Sequence, residues 1–327
     1  MRSQNKYDQP AGSSAYRPDP GYRDVFALTG GTSAFGTAPG DWQAMRQAGN
    51  KAMEALAGQA PHYPDVRTET FTTTTEDGAQ LKLRYFYKDG VQPGSAIVYA
   101  HGGAMIMGSV SLFHSLIAQH VSGTGVPFLA VEYRKAPDEA RGTTLAEDIF
   151  SGLQWLIQNA ATLGIDASRI ALMGHSAGGG LAAGAAILAR EKKLQVAMQL
   201  LIYPMLDDRT TDTETDVAVQ PYLTFTHEDN YTGWSALLGD RVGTADVSPV
   251  EAPARLTDFA GFAPAYIEIG ELDIFRNESI AYALGLSKAG VPVEFHLHPG
   301  VPHGYDNVPS ALTERALADR FRVIRSL

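Results

Sequence analysis

Residues 168–180 read Ser168-Arg169-Ile170-Ala171-Leu172-Met173-Gly174-His175-Ser176-Ala177-Gly178-Gly179-Gly180. The apolar run from Ile170 to Met173 predicts a strand that feeds a serine set between glycines, and Leu181-Ala182-Ala183 then open a helix-favouring stretch. A Gly-x-Ser-x-Gly between a strand and a helix implies a turn too sharp for anything but small side chains two residues either side of the serine. Such a turn leaves the hydroxyl exposed. In a chain with 33 glycines the pentapeptide alone says little. Its meaning depends on what accompanies it.

Outward from this turn, other short apolar runs have the look of strands buried on both faces: 96–100, 128–131, 198–203, 265–269 and 293–297. Two alternating segments, 68–73 and 81–87, flank Glu76-Asp77-Gly78 and predict an antiparallel hairpin. Helix-like stretches lie at 41–57, from Thr144 to about 163, and at 177–192, 276–289 and 311–325. Thr144 with Glu147 forms a candidate capping box. Alternating strands and helices of this kind predict an α/β class protein, with a mostly parallel sheet and helices on both faces. Residues 1–20 are polar and carry Pro10, Pro18 and Pro20, the composition of a flexible arm. The interval from Leu206 to about Ala254 holds no strand and is too long for a simple connection, so it reads as an inserted lid. Within it, Asp207 to Asp212 reads as a solvated loop, with acids too irregularly spaced for a calcium loop, and His227 to Leu238 as a helix.

Composition narrows the function. The 327 residues carry a net charge of −10, which argues against nucleic acid or an anionic membrane as partner. No apolar run approaches the ~20 residues of a membrane span, and the N-terminus lacks a secretory pattern, so the expected location is cytoplasmic. There is no cysteine, which removes disulfides, thiolate metal ligands and a cysteine nucleophile.

A serine nucleophile needs a base, a third group to orient that base, and backbone donors for the developing oxyanion. Among nine histidines, only His303 lies on a Pro- and Gly-rich loop just past the final predicted strand, within His298-Pro299-Gly300-Val301-Pro302-His303-Gly304-Tyr305. His296 and His298 have strand spacing and read as ordinary strand residues. His175 adjoins the serine and reads as a residue that shapes the turn. The strand at 265–269 runs into Gly270-Glu271-Leu272-Asp273-Ile274-Phe275-Arg276-Asn277-Glu278, which offers both Asp273 and Glu271 as the orienting acid. The strand at 96–100 ends in His101-Gly102-Gly103-Ala104-Met105.

These segments resemble the hormone-sensitive-lipase branch of the α/β-hydrolases. His101 to Ala104 is similar to that family's His-Gly-Gly-Gly motif, with Ala104 at the third glycine. Residues 270–278 resemble its Asp-Pro-Leu-x-Asp segment, with Ile274 and Asn277 departing from it. Glu132-Tyr133-Arg134-Lys135-Ala136-Pro137-Asp138 resembles Asp-Tyr-Arg-x-Ala-Pro-Glu. The order serine, acid, histidine is also the family's. The likeness runs from about residue 65 to 325 and is weakest in the lid and the first sixty residues.

The resemblance implies an α/β-hydrolase fold with an eight-stranded sheet. The catalytic domain would comprise 65–205 and 255–327, under a helical cap from 21–64 and 206–254. It implies a triad of Ser176, Asp273 and His303, and an oxyanion hole formed by the N–H groups of Gly103, Ala104 and Ala177. Met105, Ile106 and Met107, with Tyr203, Tyr222, Phe225 and Trp234, are expected to line an apolar pocket. The activity implied is a serine carboxylesterase acting on small-molecule esters of short to medium acyl chain, as a homodimer. Such chemistry calls for no metal or organic cofactor. Amides, lactones or drug esters would use the same triad. A ligand receptor on the same scaffold would lack the acid or the base, and both are present.

Overall fold

The computed structural model describes residues 16–212 and 218–327. In chain order, α1 (Arg23–Thr29) and α2 (Trp42–Ala57) precede the hairpin β1 (Arg67–Thr74) and β2 (Gln80–Tyr87). There follow β3 (Ala96–Ala100), α3 (His114–Thr124), β4 (Phe128–Val131), α4 (Thr144–Asn159), β5 (Ile170–His175), α5 (Ala177–Glu191) and β6 (Gln199–Ile202). The chain then forms α6 (His227–Leu238), β7 (Ala265–Gly270), α7 (Arg276–Lys288), β8 (Val293–His298) and α8 (Ala311–Arg325).

The eight strands form one sheet in the order β1-β2-β4-β3-β5-β6-β7-β8. Pairing is antiparallel at β1–β2 and β2–β4 and parallel from β4 onward. The β3 crossover turns one way to β4 and the β4 crossover the other way to β5. Right-handed connections therefore put α3 on one face and α4, α5 and α7 on the opposite one. α8 returns to pack with α3. With both faces covered, β3, β4 and β5 are buried along their whole length, which explains their unbroken apolar runs. The carboxyl ends of β3, β5, β7 and β8 share one edge of the sheet, where open α/β folds place their sites.

Three local expectations change. α4 has no capping box: its N-cap is Thr143, whose hydroxyl donates to Glu147 at 2.8 Å, and Thr144 is already inside the helix. α3 was not foreseen, because its N-cap is Phe113 and no side chain caps it. The run 207–212 is not wholly solvated. Asp208 is fully buried, accepting from Arg255 Nε at 2.6 Å and from the Gly243 N–H at 2.7 Å.

The expected flexible arm falls mainly on residues outside the described ones. Residues 16–20 are tethered at two points: the Asp19 N–H donates to the Gly300 carbonyl at 2.8 Å, and Arg276 donates to the Tyr16 hydroxyl at 2.8 Å. The two segments expected to form the cap meet one another. Ser33 Oγ donates to Asp229 at 2.6 Å, the Gly40 N–H donates to Thr232 at 2.9 Å, and Phe35 meets Phe225 edge-on at 6.3 Å. Thr226 and Asp229 form a true capping box on α6. Among the described residues no helix is long and apolar enough to cross a membrane.

Candidate active site

At the end of β5 the backbone reverses through Ser176, whose φ of 55° and ψ of −123° are costly for a residue with a side chain. The surroundings impose it. The Ser176 N–H donates to the Ile202 carbonyl at 2.9 Å, and its own carbonyl accepts from Gly180 and Met205, both at 3.1 Å. A Cβ on Gly174 would overlap the Gly178 carbonyl, and one on Gly178 would overlap the carbonyls of Ala100 and His101. The glycines flanking the serine are thus required by close backbone approach, as the pentapeptide implied.

Ser176 Oγ lies 2.9 Å from His303 Nε2, and His303 Nδ1 lies 2.7 Å from Asp273 Oδ2. A carboxylate can only accept, so Nδ1 carries the hydrogen and Nε2 presents its lone pair to the serine hydroxyl. Asp273 is buried, and its other oxygen accepts from the Phe275 N–H at 2.9 Å. Tyr203, Phe225 and Phe275 surround the imidazole with ring centroids 5.0, 5.3 and 5.0 Å away, and Thr224 donates to the His303 carbonyl at 3.0 Å.

The other candidates are occupied elsewhere. Glu271 accepts from the Gly300 N–H at 2.9 Å and so braces the turn that carries His303. His296 pairs with Glu294 at 2.7 Å, and His298 is buried with its ring against Tyr305. His175 is buried, with Nδ1 3.0 Å from the Tyr99 hydroxyl, and burial pushes its pKa down to about 3. A neutral imidazole there shapes the turn and takes no proton from Ser176.

After β3 the loop runs through positive φ at Gly103 (124°), Ala104 (50°) and Met105 (66°). The Gly103 carbonyl points inward to accept from Ile106 and Met107, each at 3.0 Å. The N–H groups of Gly103, Ala104 and Ala177 have no acceptor among the described residues. Three unpaired amides beside a serine hydroxyl suit an oxyanion. His101 anchors this loop, stacked on Tyr133 at 4.4 Å and bonded through Nδ1 to the Gly102 carbonyl at 2.7 Å. Ala104 does occupy the left-handed region, so it carries about 1 kcal/mol of strain that glycine would not.

Ser176 and His303 open onto a cleft of about 310 Å³. Met107, Tyr203 and Phe225 line it. Met105, Ile106, Tyr222 and Trp234 do not. Met105 is buried, its carbonyl bonded to the Ala136 N–H at 3.0 Å, and Ile106 is buried beneath Arg46. Tyr222 packs edge-on against Phe26 at 5.2 Å, and Trp234 is buried on α6. In their place α2 presents Gly49, Ala52, Met53 and Leu56, one face of a helix at three- and four-residue spacing. Phe35, Phe113 and Leu116 complete the apolar wall.

Behind the site lies a buried charge network. Arg320 of α8, 1% exposed, donates to Glu268 at 2.7 Å and to Asp306 at 2.7 Å. Tyr203 donates to the other Asp306 oxygen at 2.7 Å, Tyr266 and Tyr305 donate to Glu268, and His175 Nε2 lies 3.7 Å from Asp306. Burial, the largest single influence, would raise both carboxyl pKa values, but the Arg320 charge together with the hydrogen bonds the two carboxylates accept offsets it and holds both below the ordinary carboxylate range. The network joins the turns that carry Ser176 and His303.

A sequence profile described as the alpha/beta hydrolase fold matches residues 97–307. The chain is 33% identical over 266 residues to an ethyl acetate hydrolase of Pseudomonas putida, covering 79% of this chain and 81% of that protein. It is 31% identical over 272 residues to a carboxylesterase of Mycobacterium tuberculosis, covering 80% and 85%. Among solved structures, a bacterial heroin esterase superposes with a TM-score of 0.83 at 30% identity, over 94% of this chain and 97% of that one. The chain belongs to the α/β-hydrolase family.

Proposed function

We propose that this chain is a serine carboxylesterase that works through an acyl-enzyme on Ser176. The observation that carries the reading is the hydrogen-bond relay from Ser176 Oγ through His303 to Asp273. His303 takes the hydroxyl proton as Ser176 attacks the ester carbonyl, and the amides of Gly103, Ala104 and Ala177 receive the oxyanion. His303 then gives that proton to the departing alcohol. A water, deprotonated by the same imidazole, releases the acid. Asp273 keeps the imidazole in the working tautomer and stabilises its charged form.

Esters of short to medium acyl chain are the proposed substrates. A cleft of about 310 Å³ with apolar walls has room for such chains, and one relative is named for ethyl acetate. The proposed assembly is a homodimer, to be checked by light scattering in solution. The decisive experiment measures p-nitrophenyl acetate and butyrate turnover with Ser176→Ala beside the parent. Turnover falls roughly 10⁴-fold or more, and a fluorophosphonate label attaches to the parent at Ser176 and not to the variant. Near-parental rates in Ser176→Ala would remove the proposal.

A further inference from the structure

Gly49 stands in the interior of α2, where glycine costs roughly 0.5–1 kcal/mol relative to alanine. The helix is otherwise rich in alanine, with Ala44, Ala48, Ala52, Ala55 and Ala57. Helix formation does not call for this glycine. Its neighbour does. Gly49 is buried, and a Cβ there would fall onto Met107 Sδ, well inside van der Waals distance, while lying 3.2 Å from Met107 Cε and 3.3 Å from Phe35.

Met107 belongs to the loop that offers the proposed oxyanion amides. Its N–H donates to the Gly103 carbonyl at 3.0 Å, and a Cβ on Gly103 would stand 3.3 Å from Met107 Cγ. The next residue is tied to α2 directly, the Gly108 N–H donating to Asn50 Oδ1 at 2.9 Å. The backbone on both sides of the contact is therefore fixed. Added bulk at position 49 has to be absorbed by the Met107 side chain, which is unbranched and free to turn. Met107 and Gly49 both line the cleft, so the side chain's freedom is the cleft's depth.

His303 must protonate the leaving alcohol, so the alcohol lies on its side, near Thr224, Phe225 and Asn307. The acyl chain then runs the other way, past Gly103 and under α2, where every wall is apolar. We propose that Gly49 is a notch holding Met107 back, and that this pair sets how long an unfunctionalised aliphatic acyl chain the enzyme accepts. The inference rests on the carboxylesterase reading.

The test compares the parent, Gly49→Ala, Met107→Ala and the double variant on p-nitrophenyl esters from acetate to decanoate, and on acetates of ethyl to octyl alcohols. In Gly49→Ala the kcat/KM ratio of hexanoate to acetate falls by about tenfold, the scale of a methylene's worth of pocket. Met107→Ala moves the optimum to longer acyl chains. In that background Gly49→Ala changes the ratio by about twofold or less, because the side chain it displaces is gone. The alkyl acetate series keeps its order throughout. A helix favours alanine, so Gly49→Ala stays folded, and Met107→Ala supplies an independent reading in the opposite direction. The proposal is overturned by an unchanged acyl profile in either single variant, by additive effects in the double variant, or by a shift confined to the alcohol series. A parent inert toward all esters would refute the underlying carboxylesterase reading instead, and the inference with it.

Discussion

Replacing Arg320 by methionine keeps a long apolar stem and removes the only guanidinium that Glu268 and Asp306 share in the structure described. Both carboxylates are buried, so the variant strands two charges where the parent has a compensated group. Breaking a buried pair in this way costs about 3–5 kcal/mol. At ~2 °C per kcal/mol for a chain of this size, that is a fall of roughly 6–10 °C in Tm. The pH dependence is the sharper signature. In the parent both folded pKa values lie below their unfolded ones, so the stability they contribute is present above pH ~4 and lost as pH falls through the folded values. Without Arg320, burial dominates and the folded values rise above the unfolded ones. The variant's stability is then fullest at low pH and drains away as pH climbs, by up to about 1.4 kcal/mol per pH unit for each carboxylate. His175, which faces Asp306, acts in the same sense on taking up a proton. Urea titrations of parent and variant at several pH values from 4.5 to 7.5 read the difference, in which titrations outside this network cancel. A deficit that is constant across that range, or smaller at pH 7.5 than at pH 4.5, refutes the reasoning.

Asp273→Asn preserves the shape of the site but lets an amide donate to His303 Nδ1, favouring the wrong tautomer. Steady-state kinetics should show kcat down by about 10⁴ with little change in KM. Ala104 offers a backbone test. Ala104→Gly relieves the positive φ and leaves unfolding free energy within about 1 kcal/mol of the parent, whereas Ala104→Val, β-branched in the same conformation, loses roughly 2 kcal/mol or more. Urea unfolding measures both, and a valine variant as stable as the parent would contradict the observed φ.

The sheet was legible because both its faces are covered, so strands such as Ala96–Ala100 and the first four residues of Ile170–His175 are written as unbroken apolar runs. The Ser176, Asp273 and His303 geometry was legible because each residue sits on a turn directly after such a run. The pocket was less so. Trp234 and Tyr222 have the chemistry of lining residues, but which face of a segment meets the cleft depends on packing between distant segments, which sequence order does not encode. The network around Arg320 escaped for the same reason. Its one local sign was Glu268, a charge in the middle of the buried strand Ala265–Gly270. α3 was missed because neither capping chemistry nor a clean stripe announces it, although Gly125, left-handed at its end, is a conventional stop signal.

The short stretch at residues 16–22 has a practical meaning for anyone shortening this protein. The Tyr22 hydroxyl donates to the carbonyl of Tyr305, and Asp19 is fastened to Gly300, so the entry of the chain grips both flanks of the turn bearing His303. Trimming that stops ahead of Tyr16 leaves this clasp whole. Cutting past Tyr22 releases the imidazole's support from a point more than 280 residues away along the polypeptide, and the damage would show as lost turnover in a molecule that still folds.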